Sequence, residues 1–262
     1  MTKVREVAGA IEAFAPLKLQ EGYDNAGLQV GDPEAEVSAV LLCLDVTEDI
    51  LEEAKRRSCS MVVSHHPLIF HGLKSLTGAD ETQRLVLRAL RDGIAVYSAH
   101  TNLDSTRSGV SCEMAGMLGV RNLRPLEPSV PDAPTGLGVV GDIEPAPKLA
   151  FLRKVKEKFG VRALRYSAGR RDILVAKRVA LCGGSGASLI QQAIDAGADV
   201  YITGDIKYHD FTGYGDRILL ADVGHYESEL CSEHIFSRII REAFPEMVVY
   251  FPESESNPIK IM

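Results

Sequence analysis

Five side chains suited to metal ligation follow three short apolar runs of the chain. His65 and His66 follow the first run, Asp104 follows the second, and His225 and Glu229 follow the third. The three runs are residues 61–64, 94–98 and 218–222. If they are parallel strands, their carboxyl ends meet at one sheet edge, where α/β proteins place their functional residues. Mixed imidazole and carboxylate donors suit Zn, Mn, Fe or Co, and no thiolate accompanies them to favour structural zinc.

His225 and Glu229 are separated by four positions at the start of a predicted helix. That spacing puts both side chains on one helix face, about one turn apart, so that they can bind one metal ion together. Glu227 points elsewhere on such a helix and ranks below Glu229 as a ligand. Taken alone, the segment is better explained as a solvated helix start, where acidic residues complement the helix dipole.

The other three candidates also have ordinary explanations when each is considered singly. His65 and His66 are adjacent, and Pro67 favours an extended conformation at His66, so the two imidazoles can serve two different metals. A lone His-His pair is commonly a surface or core pair, and Asp104 alone is commonly a turn residue. The convergence of five candidates at three strand ends favours metal binding. Two metals bridged by a carboxylate would lower the pKa of water and stabilise an oxyanion.

Three weaker motifs accompany these residues. Residues 183–186, Gly-Gly-Ser-Gly, lack the features of a P-loop or dinucleotide fingerprint and indicate a tight turn between strand and helix. Residues 24–31 indicate a turn into a strand. In residues 204–209, the side chains of Asp205, Lys207 and His209 are candidates for lining the same cleft. His100 and His209 are the candidate proton shuttles, since an unperturbed imidazole titrates near neutrality.

The elements that must position these residues occur in two similar halves. Residues 40–66 overlay residues 179–205 without a gap, a shift of 139 positions that places Cys43 on Cys182. Each segment consists of an apolar run, a helix-like stretch and a second apolar run, which is the pattern of a βαβ unit with parallel strands. The sequence therefore predicts an α/β fold with internal duplication, although two unrelated βαβ units would also overlay in this way.

Helices and a proline-rich segment complete the predicted organisation. Helices are expected over residues 82–90, 188–196 and 227–244, the last ended by Pro245. Proline clusters in residues 125–148, which therefore cannot form a continuous helix or a central strand. The predicted division is a first repeat over 1–124, a connector over 125–148, and a second repeat over 149–262.

Composition narrows the class of protein further. The 262 residues are 45% hydrophobic and 25% charged, which is typical of a globular protein and excludes wholesale disorder. A net charge of -7 argues against sequence-independent nucleic-acid binding, which depends on Lys and Arg. No apolar run approaches the ~18 residues of a membrane span, and the N-terminus lacks the apolar core of a secretion signal. Five cysteines without a C-x-x-C pair predict buried thiols in a reducing cytoplasm.

The chain resembles the Nif-three-like family, the GTP cyclohydrolase I type 2 homologues, from the first helix to the last strand. The resemblance rests on five stretches in the family's order: residues 24–31, 64–70, 98–104, 203–209 and 222–229. It implies two intertwined α/β repeats with mixed sheets, and a ring-shaped homohexamer. It also implies two divalent ions bound by His65, His66, Asp104, His225 and Glu229. Glu227-Ser228 stands where relatives more often have Ala-Thr, which places a second carboxylate beside the site.

Two functions remain open at this point. The resemblance implies a metal-dependent hydrolase of a small molecule such as a nucleotide, opening the guanine imidazole ring of GTP with release of formate, or a related phosphoester hydrolase. The alternative is a non-enzymatic, ring-shaped scaffold or regulatory protein whose metals are structural or sensory. Nothing in the residues themselves selects guanine.

Overall fold

The computed structural model describes residues 2–169 and 174–262, which divide into two packing units. The first unit comprises the chain up to Thr106 together with Ser232–Ser256, and the second comprises Arg107–Cys231 and Asn257–Met262. Each unit is built around one sheet. The chain passes from the first unit to the second at Arg107, returns to the first at Ser232, and enters the second again at Asn257.

The described helices are α1 (Val4–Phe14), α2 (Glu48–Arg56), α3 (Glu81–Asp92), α4 (Thr101–Ser105), α5 (Val110–Leu118), α6 (Lys148–Lys158), α7 (Ile190–Asp195), α8 (Tyr208–Tyr214), α9 (His225–Glu229) and α10 (Cys231–Ala243). The described strands are β1 (Gly27–Val30), β2 (Ala39–Cys43), β3 (Met61–Ser64), β4 (Ala95–Ser98), β5 (Arg121–Pro128), β6 (Gly136–Pro147), β7 (Arg165–Tyr166), β8 (Val175–Leu181), β9 (Val200–Thr203), β10 (Leu219–Asp222) and β11 (Val248–Tyr250). Each of these helices is too short or too polar to cross a lipid bilayer.

The sheet of the first unit has the strand order β1-β4-β3-β2-β11. All neighbours are parallel except β1, which runs antiparallel to β4. Every residue of β2, β3 and β4 is buried, as continuous apolar strands covered on both faces should be. The helices between them begin at N-caps whose side chains accept backbone hydrogen bonds, Thr47 for α2 and Asp80 for α3.

The sheet of the second unit has the strand order β5-β6-β8-β9-β10-β7. Its central strands β8, β9 and β10 are parallel, and the flanking strands are antiparallel. The shift of 139 positions that relates the two halves carries β3 onto β9 residue for residue. The predicted α/β class is confirmed, with two mixed sheets packed by helices.

The proline-rich segment 125–148 differs from the predicted connector, because β5 and β6 form a hairpin there. β5 is the outermost strand of its sheet, so half of its backbone N–H groups point away from the sheet and form no bond to a neighbouring strand. Proline, which lacks this N–H group, is therefore tolerated at positions 125 and 128. In β6, Pro145 lies within the register shift between Asp142 and Ala146, and Pro147 follows it. The predicted boundaries at 124 and 149 therefore differ from the packing units, because the segment pairs with the second sheet.

The predicted helices are present with changes at their ends. Residues 82–90 lie within α3, which ends at Gly93 in the left-handed conformation with φ 67°. The prediction over 188–196 corresponds to a 3-10 turn followed by α7. The long helix predicted over 227–244 is divided at Leu230 into α9 and α10.

Candidate functional site

The ends of β3 and β4 bring three histidines together in the first unit. Ser64 and Ser98 are paired across the two parallel strands, with their Oγ atoms 2.8 Å apart. His65, His66 and His100 follow directly. Their ring centroids lie 5.2, 5.3 and 5.5 Å apart, and one ring nitrogen from each lies within 4.8 Å of the others. We call these residues the three-histidine group.

The hydrogen bond of His65 determines which of its nitrogens faces Asp104. Its buried Nδ1 donates to the carbonyl oxygen of Ala99 at 2.9 Å, because a carbonyl can only accept. In the neutral imidazole, Nε2 then carries the lone pair, and it lies 3.7 Å from Oδ1 of Asp104. An imidazole lone pair and a carboxylate oxygen that face each other can together bind a divalent cation. A backbone carbonyl is a common hydrogen-bond partner for the other ring nitrogen of a metal-binding histidine.

His66 is oriented by Asp45, whose Oδ1 lies 2.8 Å from Nδ1 of the imidazole. Asp45 lies just beyond β2, where its own backbone is held by a second carboxylate. Oε1 of Glu255 accepts the backbone N–H groups of Leu44 at 2.6 Å and of Asp45 at 3.3 Å. The C-terminal segment therefore supports the residue that orients His66.

His100 is oriented by Asp24, whose Oδ1 lies 2.9 Å from Nδ1 of the imidazole. The side chain of Asp24 is fully buried and also accepts hydrogen bonds from Thr101 and from the backbone of Asn25. Burial alone would raise the pKa of Asp24, but hydrogen bonds from His100 and Thr101, together with the charge of His100, hold that pKa well below its usual value. Asp24 therefore stays ionised and fixes the ring.

In the second unit, His225 and Glu229 form a pair on one face of α9. Nε2 of His225 lies 2.9 Å from Oε2 of Glu229, and Nδ1 lies 2.7 Å from Oδ2 of Asp205. Glu229 is 3% exposed. The predicted spacing of four positions thus brings both side chains together, and Asp205 holds the other nitrogen of the ring.

Glu227 has a different contact from Glu229. Its Oε1 accepts a hydrogen bond from Nδ2 of Asn257 at 2.9 Å. The two glutamates therefore differ in what they touch, with Glu229 against His225 and Glu227 against the C-terminal segment.

Glycine at position 184 makes room for the carboxylate of Glu229. A Cβ atom at Gly184 would lie 2.1 Å from Oε1 of Glu229 and 3.3 Å from Cε1 of His225. The carbonyl oxygen of Gly184 accepts the N–H of Gly204 at 2.8 Å and the hydroxyl of Thr203 at 3.0 Å. The glycine-rich turn predicted over 183–186 thus packs against the His225–Glu229 pair.

Replacement of Gly184 by Ala is expected to destabilise the protein by about 1–3 kcal/mol and to displace the carboxylate of Glu229. Gly184 has φ 60°, a left-handed conformation that is strained for alanine, and the added methyl group would collide with Oε1. Chemical denaturation measures the loss. Gly160→Ala is the matched control, because Gly160 has φ 64° with nothing within 4 Å of the added Cβ. Equal losses in the two variants would rule out the collision.

His209, the second predicted proton shuttle, lies exposed on α8. Its ring centroid is 5.4 Å from that of Tyr208. Among the described residues, the clusters able to hold a metal do not include it. A role for His209 in proton transfer stays a prediction.

Sequence reasoning did not assign an orienting role to the three aspartates that contact the histidines. Asp24, Asp45 and Asp205 each contact one Nδ1 atom. The available signals were the stretch 24–31, which is part of the family resemblance and whose local pattern indicates a turn, and the position of Asp45 just beyond a strand end. Asp205 was expected to line the cleft, but its contact with His225 was not foreseen.

Glu255, which holds the backbone next to the His66 partner Asp45, lies beside a second buried carboxyl group, that of Glu233. The side chain of Glu233 is 4% exposed and lies beside that of Glu255, and two carboxyl groups this close in a buried site are stable only when one of them is protonated. Burial raises the pKa of Glu233, and the neighbouring Glu255 raises it further. The native state therefore holds a proton that the unfolded chain loses above the ordinary value of 4.5. Stability consequently falls as the pH rises from that value toward the raised native pKa.

Replacement of Glu233 by Gln is expected to raise the melting temperature at about pH 8 and to flatten its pH dependence, because the amide supplies the hydrogen bond without proton uptake. The gain should be about 1 kcal/mol or more at that pH, and it should shrink toward about pH 5. Calorimetry at several pH values measures it. Glu242→Gln, an exposed change on the same helix, is the control. A variant with the wild-type slope would contradict the shared proton.

Comparisons with known proteins agree with this architecture. The family model described as Duf34/NIF3 (NGG1p interacting factor 3) matches residues 2–258. The "GTP cyclohydrolase 1 type 2 homolog" of Lactococcus lactis is 36% identical over 264 residues, covering 98% of each chain. The protein of that name from Clostridium acetobutylicum is 35% identical over 255 residues, covering 95% of this chain and 94% of its own.

A solved structure has the same fold. The crystal structure of Staphylococcus aureus hypothetical protein SA1388 superposes with a TM-score of 0.90 at 26% identity, covering 99% of both chains. The family model and the two relatives confirm the resemblance that the five sequence stretches indicated. The chain belongs to the Duf34/NIF3 family.

Proposed function

We propose that this chain is a metal-dependent hydrolase that opens the guanine imidazole ring of GTP, or hydrolyses a related nucleotide or phosphoester. The three-histidine group carries the proposal. The activity is suggested by the name GTP cyclohydrolase 1 type 2 homolog that its relatives bear. The proposed ligands of two divalent ions, Zn, Mn, Fe or Co, are His65, His66, Asp104, His225 and Glu229.

The donor set supports this assignment within each unit. In the first, Nδ1 of His65 and of His66 is already engaged by an acceptor, so Nε2 is the atom offered to a metal. In the second, Gly184 leaves room for the Glu229 carboxylate beside His225. Nitrogen and oxygen donors of this kind suit transition metals such as Zn or Mn.

Bound divalent ions would act as Lewis acids that lower the pKa of water and stabilise negative charge in the transition state. The chain's own contribution is the orientation of the imidazoles and the movement of protons. His100 is the proposed proton shuttle, because Asp24 holds its Nδ1 and leaves Nε2 to take up and return a proton. Its side chain is 19% exposed, which keeps it within reach of a substrate.

The test is GTP turnover by purified protein, followed by absorbance and by formate release, with added Mn or Zn and with chelator. Turnover is expected with metal, and His65→Ala should abolish it. His234→Ala, a change at an exposed histidine of α10, should leave it intact. Full metal occupancy with no turnover of a nucleotide and phosphoester panel would overturn the hydrolase and favour the scaffold.

Two further expectations belong to this proposal. A homohexameric ring, implied by the resemblance, stays a prediction that light scattering coupled to size exclusion will check. We also infer that the protein acts in the cytoplasm, since four of its five cysteines, Cys43, Cys59, Cys182 and Cys231, are buried thiols.

A further inference from the structure

Two exposed aromatic side chains lie beside the three-histidine group of the first unit. The ring centroids of Tyr23 and Phe70 are 6.4 Å apart, and that of Phe70 is 6.2 Å from His100. Tyr23 is 64% exposed and Phe70 is 38% exposed. We call Tyr23 and Phe70 the aromatic pair. Large exposed rings contribute little apolar burial to folding, so their place beside a candidate catalytic group suggests contact with a ligand.

Hydrogen bonds tie together the two loops that carry the aromatic pair. Nδ2 of Asn25 donates to the carbonyl oxygen of Ile69 at 2.6 Å, and the N–H of Ile69 donates to Oε1 of Gln29 at 3.1 Å. Nε2 of Gln29 in turn donates to the carbonyl oxygen of Asn25 at 2.6 Å. The loops next to Tyr23 and Phe70 are therefore held in one arrangement, which lowers the entropy lost when a ligand binds.

The same segment also supports the proposed proton shuttle. Asp24 follows Tyr23 in the chain, and its carboxylate holds both His100 and Thr101. Residues 24–31, whose local pattern indicated a turn into a strand, thus link the aromatic pair to His100. A ring lying against the pair would be held next to the imidazole that moves protons.

We propose that the aromatic pair is a stacking surface for the planar heteroaromatic ring of the substrate, a ring of purine size. This inference rests on the proposed function and adds its substrate class, a nucleotide recognised through its base rather than a simple phosphoester recognised through its phosphate. Stacking of a base on an aromatic side chain tolerates different bases, because every base presents a π-face. The surface therefore selects for a planar ring and does not by itself distinguish guanine from adenine.

The absence of tryptophan from the sequence makes a direct test possible. Phe70→Trp introduces a single indole at the aromatic pair, whose fluorescence reports stacking of a base. Guanosine and GTP are expected to quench it, whereas inorganic triphosphate and ribose 5-phosphate, which lack a base, should not. The measurement needs no turnover, so it is independent of hydrolysis.

Substitutions at position 70 separate stacking from simple apolar contact. Phe70→Leu keeps an apolar side chain but removes the planar face, and it should weaken GTP and guanosine binding by about 10-fold or more in calorimetric titration. Phe70→Tyr retains the ring and should bind like wild type. If GTP is hydrolysed, Phe70→Leu should raise KM more than it lowers kcat.

Three results would overturn the inference: no quenching of Phe70→Trp by any nucleoside, unchanged binding by Phe70→Leu, or a changed oligomeric mass for Phe70→Leu, which would assign the pair to a subunit interface. The proposed hydrolase fails separately. A protein that binds guanosine through Phe70 but never releases formate would lose the enzymatic assignment and keep the ring-binding surface.

Discussion

Replacement of Glu229 by Gln is expected to release bound metal and to lower the melting temperature of the metal-loaded protein. Oε2 of Glu229 lies 2.9 Å from Nε2 of His225, and its neutral amide replacement is nearly isosteric but a far weaker ligand. Loss of a bound ion removes ligand-linked stability of ~2.7 kcal/mol when the metal is at a hundredfold excess over Kd. Elemental analysis and calorimetry with and without chelator measure both effects. Wild type should melt lower in chelator, whereas the variant should melt lower already and respond weakly.

Glu227→Gln is the matched control for this experiment. Glu227 lies on the same short helix but contacts Asn257, and a glutamine can still accept that hydrogen bond through its amide oxygen. The variant should therefore keep wild-type metal content and melting behaviour. If the two variants exchange their behaviour, Glu227 is the ligand. If neither variant differs from wild type, His225 and Glu229 do not form a metal site.

Asp104→Asn is expected to release at least one bound metal ion while the fold is retained. Oδ1 of Asp104 lies 3.7 Å from Nε2 of His65, and the substitution removes the negative charge that would neutralise a dication there. The side chain is 15% exposed on the short helix α4, so the packed core should be little affected. Metal content by elemental analysis and secondary structure by circular dichroism are the two measurements.

Asp104 also lies in the first turn of its helix, where a carboxylate complements the helix dipole. Asp49→Asn controls for this effect, because Asp49 is an exposed acid in the first turn of α2. Any stability lost through the dipole should appear in both variants, and metal should be lost only from Asp104→Asn. Unchanged metal content in Asp104→Asn would remove this residue from the proposed ligands.

Local sequence patterns predict the central strands and the kinds of side chain that follow them. Apolar runs spaced for βαβ units became β2, β3 and β4 in one sheet and β8, β9 and β10 in the other. These strands are predictable because the periodicity of apolar residues within a short segment indicates whether that segment forms a helix or a buried strand. The spacing of His225 and Glu229 was predictable for the same reason, because four positions on a helix fix which side chains meet.

Long-range packing determines where the remaining segments pair and which groups hold the histidines. The segment 125–148 contains enough proline to suggest a connector, but an edge strand tolerates it, and edge position depends on the whole sheet. Asp24 and Asp45 reach their histidines from 76 and 21 positions away. Contacts at such separations depend on the paths of loops and on long-range packing, which no local pattern encodes. The sequence thus specified the candidate metal-binding side chains, and only folding specified the hydrogen bonds that orient them.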